Sequence, residues 1–200
     1  MPIDIIRETY FKRSRIPSRY SQDTPLIPEK VDLDSFKSLA NIEHNVKDFV
    51  KNGSNLFIFS SNVGNGKTSW ATKIGKAYID YASDYAMQCP VLFVNIPSFL
   101  FKKKAAMTDA SLRDEVAAIE GSILNARLVI WDDIAIKDLS EYDKEQLYVW
   151  IDNRTSNCKS NIYTSNIGIL DLEPIIGARL YDRIVSYSTQ ICLKGHSRRK

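Results

Sequence analysis

Apolar residues recur along the chain in short runs, and stretches with helical spacing separate these runs. Five runs are rich in β-branched or aromatic residues, which is typical of buried strands. They are Asn55–Ser61, Pro90–Ile96, Ala126–Asp133, Ser160–Asn166 and Ser188–Gly195. Helical spacing is found at Asp34–Val50, Lys67–Ala82, Ser111–Leu124, Glu141–Asp152 and Asp171–Ile184. This alternation predicts βαβ units, and therefore a parallel sheet covered by helices on both faces.

The first part of the chain has a different pattern. Pro2, Pro17, Pro25 and Pro28 lie there among many basic residues, with little periodicity. This predicts an N-terminal basic extended arm at residues 1–35 that contains at most one short helix. The rest of the 200-residue chain, residues 36–200, is long enough for one domain with its own core, since 44% of the residues are hydrophobic.

Composition narrows the function classes only a little. The formal net charge of +3 is too small to indicate nucleic-acid binding by itself. The sequence has no apolar stretch long enough to span a membrane and no N-terminal signal pattern, so we expect a cytoplasmic protein without a membrane partner. Cys89, Cys158 and Cys192 are far apart, and this spacing predicts neither a disulfide framework nor a zinc site.

A glycine-rich loop joins the first predicted strand to the next helix. In the sequence FSSNVGNGKTSW, Gly66, Lys67 and Thr68 occupy the positions of a phosphate-binding loop. Backbone N–H groups and a helix N-terminus hold phosphate in such loops, while the lysine neutralises charge and the hydroxyl binds magnesium. Ser61 stands where the first glycine is usual, and we expect this small residue to be tolerated. The predicted nucleotide-binding residues are Ser61, Asn62, Val63, Gly64, Asn65, Gly66, Lys67, Thr68 and Ser69.

An acidic pair ends the third predicted strand, in the sequence LVIWDDI. A nucleotide-hydrolysing protein with a phosphate-binding loop needs one acid to hold magnesium and a second acid to orient the attacking water. We assign the magnesium to Asp132 together with Thr68, and the catalytic role to Asp133. An exposed acidic pair that caps a helix would show the same pattern.

Two further polar features follow along the chain. Asn166 ends the sequence YTSN at the tip of a predicted strand, where its amide could bind the γ-phosphate or the attacking water. Arg179 and Arg183 are spaced i and i+4, which places both on one helix face. Such arginines suit charge stabilisation at a phosphoryl group, in the same chain or from a neighbouring subunit. Taken alone, Asn166 also fits a turn, and the arginines also fit surface ion pairs.

The order of these motifs resembles a known family. SSNVGNGKT, LVIWDDI, NIYTSN and IGARLYDRI, with IPSRY upstream and LKGHSRR at the end, are similar to the AAA+ ATPase domain of bacterial and phage replicative-helicase loaders of the DnaC/DnaI type. IstB-type transposition helpers share most of these signatures. The resemblance implies an α/β, three-layer P-loop fold of the ASCE/AAA+ class, with a parallel five-stranded sheet in the order 5-1-4-3-2 and no separate α-helical lid domain.

The resemblance also implies roles for single residues. They are Lys67 and Thr68 as Walker A, Asp132 and Asp133 as Walker B, Asn166 as sensor 1, and Arg183 as an arginine finger acting across a subunit interface, with Arg179 in the same motif. The implied cofactors are ATP and Mg²⁺. The implied partners are a DnaB-type replicative helicase, single-stranded DNA, and further copies of the chain that complete each ATP site.

The segment PSFLFKKKAAM lies where such loaders carry an added helical element that faces DNA. Aromatic stacking and phosphate neutralisation are the interactions that sequence-tolerant single-strand binding uses. The candidate DNA-binding residues are therefore Phe99, Phe101, Lys102, Lys103 and Lys104. A run of lysines also fits a solvated face.

Other functions stay open from the sequence. Cellular loaders have a separate helicase-binding domain, whereas about fifty residues precede the first predicted strand, so a loader would be phage-like or would bind its helicase through the basic arm or another surface. An IstB-like helper would have a transposase as its partner. A small P-loop nucleoside or nucleotide kinase would activate a substrate hydroxyl in place of water. A module that uses ATP only as an assembly switch would not need Asp133.

Overall fold

The computed structural model describes residues 3–21, 25–82, 90–136 and 139–198, so Cys89 and the last two residues lie outside it. The helices in these ranges are α1 (Ile3–Arg13), α2 (Leu33–His44), α3 (Val46–Lys51), α4 (Lys67–Ala82), α5 (Ile96–Ala105), α6 (Arg113–Asn125), α7 (Glu141–Ser156), α8 (Ile169–Ile176) and α9 (Ala178–Val185). The strands are β1 (Asn55–Phe59), β2 (Val91–Asn95), β3 (Leu128–Asp132), β4 (Ser160–Ser165) and β5 (Ser188–Cys192). Short 3₁₀ helices lie at Ser18–Tyr20, Lys30–Asp32 and Ala110–Leu112.

The strands of the described ranges form one parallel sheet in the order β2-β3-β4-β1-β5. Read from the other edge, this is 5-1-4-3-2, so the fold class and the sheet order are confirmed. Each of the predicted strands is present. Because β4 lies between β1 and β3, the loop after β1 and the acidic pair at the end of β3 both lie at the carboxyl end of the sheet, on either side of the end of β4.

The two faces of the sheet carry two separate apolar cores. Along β1, Leu56 and Ile58 point into one core and Phe57 points into the other, as the two-residue period of a strand requires. Helices α1 to α4 contribute to the first core, and α5 to α9 contribute to the second. This gives the three layers that the alternating sequence pattern predicts.

The N-terminal segment is part of this packing. The one short helix that the prediction allowed in the N-terminal arm is α1, over residues 3–13. Tyr10 and Ile16 are buried in the same core as α4, and the Phe93 N–H on β2 donates to the Ser14 carbonyl at 2.7 Å. The packing of this helix into the core was not predicted, because its apolar positions are few and the prolines after it dominate the pattern. Residue 35 therefore does not separate two packing units.

Two predicted helices are each divided in the structure. The first breaks at Asn45 into α2 and α3, where the Asn45 side-chain amide donates to the Asn41 carbonyl at 2.9 Å. The second breaks at Gly177 into α8 and α9, since this glycine has a φ of +84° that other residues rarely adopt. The break at Gly177 sets the direction of α9, which carries Arg179 and Arg183.

A fully buried arginine joins the helical layer to the sheet. Arg154, near the end of α7, donates to the carbonyls of Ile123, Ala126 and Ser160 at 2.7, 2.7 and 2.6 Å. Its Nε donates to Oδ1 of Asn161 at 2.7 Å. Burial lowers the pKa of Arg154 to about 10, so the side chain stays protonated at neutral pH. This one guanidinium therefore fixes the ends of α6 and α7 against β4.

We expect Arg154→Met to lower the free energy of unfolding by about 3 kcal/mol, because several buried oxygens lose their hydrogen-bond donor. Urea unfolding followed by circular dichroism measures this change. The matched control is Arg127→Met at an exposed position, which should change the free energy by less than about 0.5 kcal/mol. Equal effects at the two positions would contradict the anchoring role of Arg154.

Candidate nucleotide site

The loop between β1 and α4 is folded by its own side chains. Ser60 is buried, and its hydroxyl accepts hydrogen bonds from the Asn62 N–H at 2.9 Å and from Asn65 Nδ2 at 2.6 Å. Gly64 and Gly66 have φ values of +79° and +106°, which only glycine adopts without strain. The loop shape therefore depends on the two glycines and on the buried Ser60 and Asn65.

Ser61 and Lys67 occupy different environments in this loop. Ser61 is exposed, and its φ is not positive, so a side chain at this position meets no backbone strain. Lys67 is buried, and its amine donates to the Asn62 carbonyl at 2.9 Å and to Asn65 Oδ1 at 3.2 Å. The exposed position of Ser61 is compatible with the expectation that serine is tolerated there. The amine of Lys67, in contrast, lies within the loop.

The carboxylate of Asp132 is the acceptor for three neighbouring elements. Its Oδ1 accepts from the hydroxyls of Thr68 at 2.7 Å and Thr164 at 2.8 Å, and its Oδ2 accepts from Asn95 Nδ2 at 3.2 Å. The contact between Thr68 and Asp132 brings together the two oxygen ligands that the sequence assigns to magnesium. Hydroxyl and carboxylate oxygens are suitable Mg²⁺ ligands, with phosphate and water completing the shell.

The second acid, Asp133, is held in an uncommon backbone conformation. Its φ is +56°, a region that aspartate tolerates better than most residues. The Asp133 N–H donates to the Thr164 hydroxyl at 3.0 Å, and Asn166 Nδ2 donates to Asp133 Oδ1 at 2.9 Å. The structure thus brings together Asp133 and Asn166, which the sequence assigned separately. Neither Thr164 nor Asn95 was assigned, although both lie at strand ends beside Asp132.

Arg198 is a further residue of the site that sequence reasoning did not assign. Its N–H donates to the Gly64 carbonyl at 2.9 Å, and its guanidinium carbon lies 4.7 Å from the ring centroid of Phe36. Its Nε and Nη2 are buried and have no hydrogen-bond acceptor among the described residues. Unsatisfied guanidinium donors beside a phosphate-binding loop fit an anion such as a nucleotide phosphate.

The chain end that carries Arg198 is held by the N-terminal segment. Buried Asp32 accepts from the N–H groups of Lys194 at 2.7 Å and Gly195 at 2.9 Å. Glu29 accepts from the N–H and from Nδ1 of His196 at 2.8 and 3.0 Å, and these bonds lower the pKa of Glu29. Residues near both ends of the described chain therefore shape the nucleotide site.

These elements enclose a cleft of about 1040 Å³, a volume sufficient for a nucleotide. The loop glycines, the acidic pair, Asn166 and Arg198 line one part of it. Arg19, Tyr20 and Leu26, from the N-terminal segment, line another part. Neither Arg179 nor Arg183 is among the lining residues of this cleft. The predicted residues from Gly64 to Ser69 therefore converge with the acidic pair and Asn166. The cleft lining does not include Ser61, Asn62 or Val63, and the two α9 arginines lie apart from it.

The structure separates the two aromatic DNA candidates on α5. Phe99 is 5% exposed and its ring centroid lies 5.5 Å from that of Trp150, so its predicted surface position was wrong. Phe101 is 78% exposed. The reason is the helical turn: residues two apart fall on different faces, and only one face packs on the core.

The three lysines after Phe101 each contact a carboxylate of the same chain. The pairs are Lys102–Glu115, Lys103–Glu120 and Lys104–Asp143, with N–O distances of 2.8, 2.5 and 2.7 Å. The bond from Lys102 lowers the pKa of Glu115. A DNA phosphate would have to replace these carboxylates, so the lysines do not form an uncompensated basic patch.

A comparison with protein families identifies the chain. The sequence profile described as IstB-like ATP binding protein matches residues 29–200. The chain belongs to the family of IstB-like ATP binding proteins. This confirms the resemblance drawn from the sequence. A curated relative is the replicative helicase loader DnaC of Buchnera aphidicola subsp. Acyrthosiphon pisum (strain APS), 23% identical over 128 residues. That match covers 64% of this chain and 49% of the relative, so the chain spans about half the length of the curated relatives it matches.

Solved structures share the fold of this family member. The crystal structure of the DnaC helicase loader superposes with a TM-score of 0.69 at 20% identity, covering 89% of this chain and 100% of that one. The replication initiator DnaA bound to AMPPCP and single-stranded DNA gives a TM-score of 0.67 at 14% identity, covering 90% and 51%. Among the described helices, none is both long enough and apolar enough to cross a membrane.

We expect Lys67→Ala to weaken ATP affinity about 100-fold, since a charged hydrogen bond contributes about 1.5–3 kcal/mol. Titration with a fluorescent ATP analogue measures the affinity, and a thermal melt shows whether the loop still folds. Lys37→Ala on α2 removes an equal charge from a side chain that is 77% exposed, and should leave the affinity unchanged. Equal affinities of the two variants would refute the phosphate role of Lys67.

Proposed function

We propose that this IstB-like ATP binding protein hydrolyses ATP and acts as a loader of a replicative helicase. The observation that carries the ATPase proposal is the pair of adjacent contacts at the end of the sheet. Thr68 donates to Asp132, and Asn166 donates to Asp133. Asp132 is therefore paired with Thr68, the other proposed magnesium ligand. Asp133 is oriented by the side-chain amide of Asn166, and both of these residues line the cleft.

The roles of the residues in hydrolysis follow from their positions. Lys67 and Arg198 would neutralise the phosphates, while Thr68 and Asp132 would hold Mg²⁺, which stabilises the charge on the β- and γ-phosphates when bound. Asp133 would accept the proton of the attacking water. The water oxygen bonds to the γ-phosphorus as the bond to the bridging oxygen breaks, which gives ADP and inorganic phosphate. Asn166 orients Asp133 for this step.

A neighbouring copy of the chain would complete the site. Arg183 and Arg179 lie outside the cleft of their own chain, although guanidinium groups are suited to the charge that develops on a transferring phosphoryl group. An oligomer in which α9 of one copy faces the cleft of the next would bring these arginines to ATP. We therefore expect weak hydrolysis by the isolated chain and faster hydrolysis after ATP-dependent assembly.

Single-stranded DNA is the second proposed ligand. Phe101 is the exposed aromatic residue of α5, and Lys102 to Lys104 follow it on the same helix. Base stacking on an aromatic side chain contributes about 1–3 kcal/mol and is sequence-tolerant. Phe99 has no part in this proposal, because it packs in the core. The DnaA neighbour, whose structure contains single-stranded DNA, shares the fold and supports this proposal only by analogy.

The name of the curated relatives favours a helicase over a transposase as the partner. Both curated matches are replicative helicase loaders. An IstB-like transposition helper remains the second candidate, because the family profile carries that name. Membership of an ATP-binding family with a paired acid and amide argues against the nucleoside kinase.

The partner proposal predicts a complex between the chain and the DnaB-type helicase of its host. We expect size-exclusion chromatography to show this complex, and expect the amount to differ between ATP and ADP. Lys67→Ala should remove the dependence on nucleotide without changing the fold. Absence of a complex in either nucleotide would overturn the helicase proposal, and binding to a transposase in its place would establish the second candidate.

Phe101→Ala should weaken binding to oligo(dT) about tenfold, equivalent to about 1.4 kcal/mol from lost stacking. The free energy of unfolding should stay nearly the same because the ring is exposed. Phe99→Ala is the matched comparison, and it should instead lower stability by about 3–5 kcal/mol through a core cavity. Fluorescence anisotropy measures DNA affinity at fixed salt. Unchanged affinity of the Phe101 variant would mean that α5 is not the DNA surface.

A further inference from the structure

Arg183 is held in one orientation by side chains around it. Its Nε donates to Oδ1 of Asp152 on α7 at 2.6 Å, and its guanidinium carbon lies 5.2 Å from the ring centroid of Tyr187. The hydrogen bond that Arg183 donates to Asp152 raises the pKa of Arg183, with a smaller contribution from the Tyr148 hydroxyl. Its Nη1 lies 3.8 Å from Asp182, a much weaker contact. Asp152 is therefore the main partner of this guanidinium.

The other arginine of α9 is held differently. Arg179 stacks on the Tyr148 ring at 4.1 Å, and its nearest carboxylate, Glu145, is 3.8 Å away. Its side chain is 69% exposed, against 29% for Arg183. The two arginines are thus distinguished by the structure: Arg183 is oriented by a short carboxylate bond, and Arg179 lies mostly in solvent.

Asp152 belongs to a rigidly attached part of the fold. Arg154 lies two residues further along α7 and is fixed by four short hydrogen bonds to α6, β4 and the loop before β3. On the other side of Arg183, Asn55 Nδ2 on β1 donates to the Tyr187 carbonyl at 3.2 Å, just before β5. A side chain that is oriented from anchored helices and strands is placed more accurately than one on a free loop.

We propose that Asp152 is a positioning residue for the ATPase reaction, and that it orients Arg183 toward the nucleotide bound by a second copy of the chain. The carboxylate takes the Nε edge of the guanidinium, which fixes the plane in which the terminal nitrogens lie. Arg183 does not line the cleft of its own chain, so the group that it serves belongs to another copy. This inference rests on the proposed ATPase function.

Asp152→Asn tests the role in the full chain under conditions of ATP-dependent assembly. We expect kcat to fall about tenfold to a hundredfold, because small misplacements of a catalytic group have effects of this size. ATP affinity of the monomer and its melting temperature should not change. Asp152→Glu should restore part of kcat, since it keeps the charge. The matched control is Glu141→Gln on the same helix, a carboxylate that is 90% exposed, which should keep the wild-type kcat.

Mixed oligomers show whether the effect acts between copies. Chains with Asp152→Asn keep an intact nucleotide site, and chains with Lys67→Ala keep an intact Arg183. Mixing the two should therefore produce more ATPase activity than either variant alone. The double variant Asp152→Asn/Arg183→Ala should be no slower than Arg183→Ala, because both changes act through the same guanidinium.

The outcomes separate this inference from the function on which it rests. If the wild-type chain assembles and does not hydrolyse ATP, the proposed ATPase function fails. If wild type hydrolyses ATP and Arg183→Ala does not, while Asp152→Asn has the wild-type kcat, only the positioning role is overturned. A faster Asp152→Asn variant would also overturn it, because Asp152 would then restrain Arg183. Absence of complementation in mixtures would refute the action between copies.

Discussion

The hydrogen bonds to the Asp132 carboxylate hold the candidate site together. Thr68 from α4, Thr164 from β4 and Asn95 from β2 all donate to it. This side chain of β3 therefore joins four elements at the carboxyl end of the sheet. These hydrogen bonds depend on the strand order, since β3 lies between β2 and β4, and β4 lies next to β1, whose following loop leads into α4. Asp133 then takes its position because Thr164 also binds its backbone N–H. The residues proposed for magnesium binding and for water activation therefore share one hydrogen-bonded framework.

The rim of the nucleotide cleft comes from residues near both ends of the described chain. Asp32 and Glu29 bind the backbone after β5, and this brings Arg198 to the Gly64 carbonyl and to the phosphate-binding loop. Arg19 and Tyr20 line the same cleft from the N-terminal side. The N-terminal segment thus acts as a structural part of the nucleotide site, whatever other partner it contacts.

The second helical layer serves the proposed interactions with other molecules. Its α5 presents Phe101 to solvent while the lysines beside it are paired with carboxylates, so stacking carries more of the proposed DNA affinity than charge. Its α7 carries Asp152, which orients Arg183 on α9. Both surfaces lie on helices whose opposite faces pack into one core. The surfaces proposed for DNA and for a neighbouring subunit are therefore both built on the helices of this core.

The sequence by itself determined the strands, the phosphate-binding loop, the acidic pair and the family, because alternation and motifs are local properties of the chain. Sheet order came from the family resemblance and agrees with the structure. Only the tertiary structure decided that Phe99 is buried while Phe101 is exposed, and that residues 3–13 form a packed helix. It alone paired Asn166 with Asp133, Arg198 with the loop, and Arg183 with Asp152. These contacts join residues far apart in the sequence, and no local pattern encodes which distant side chain completes a hydrogen bond.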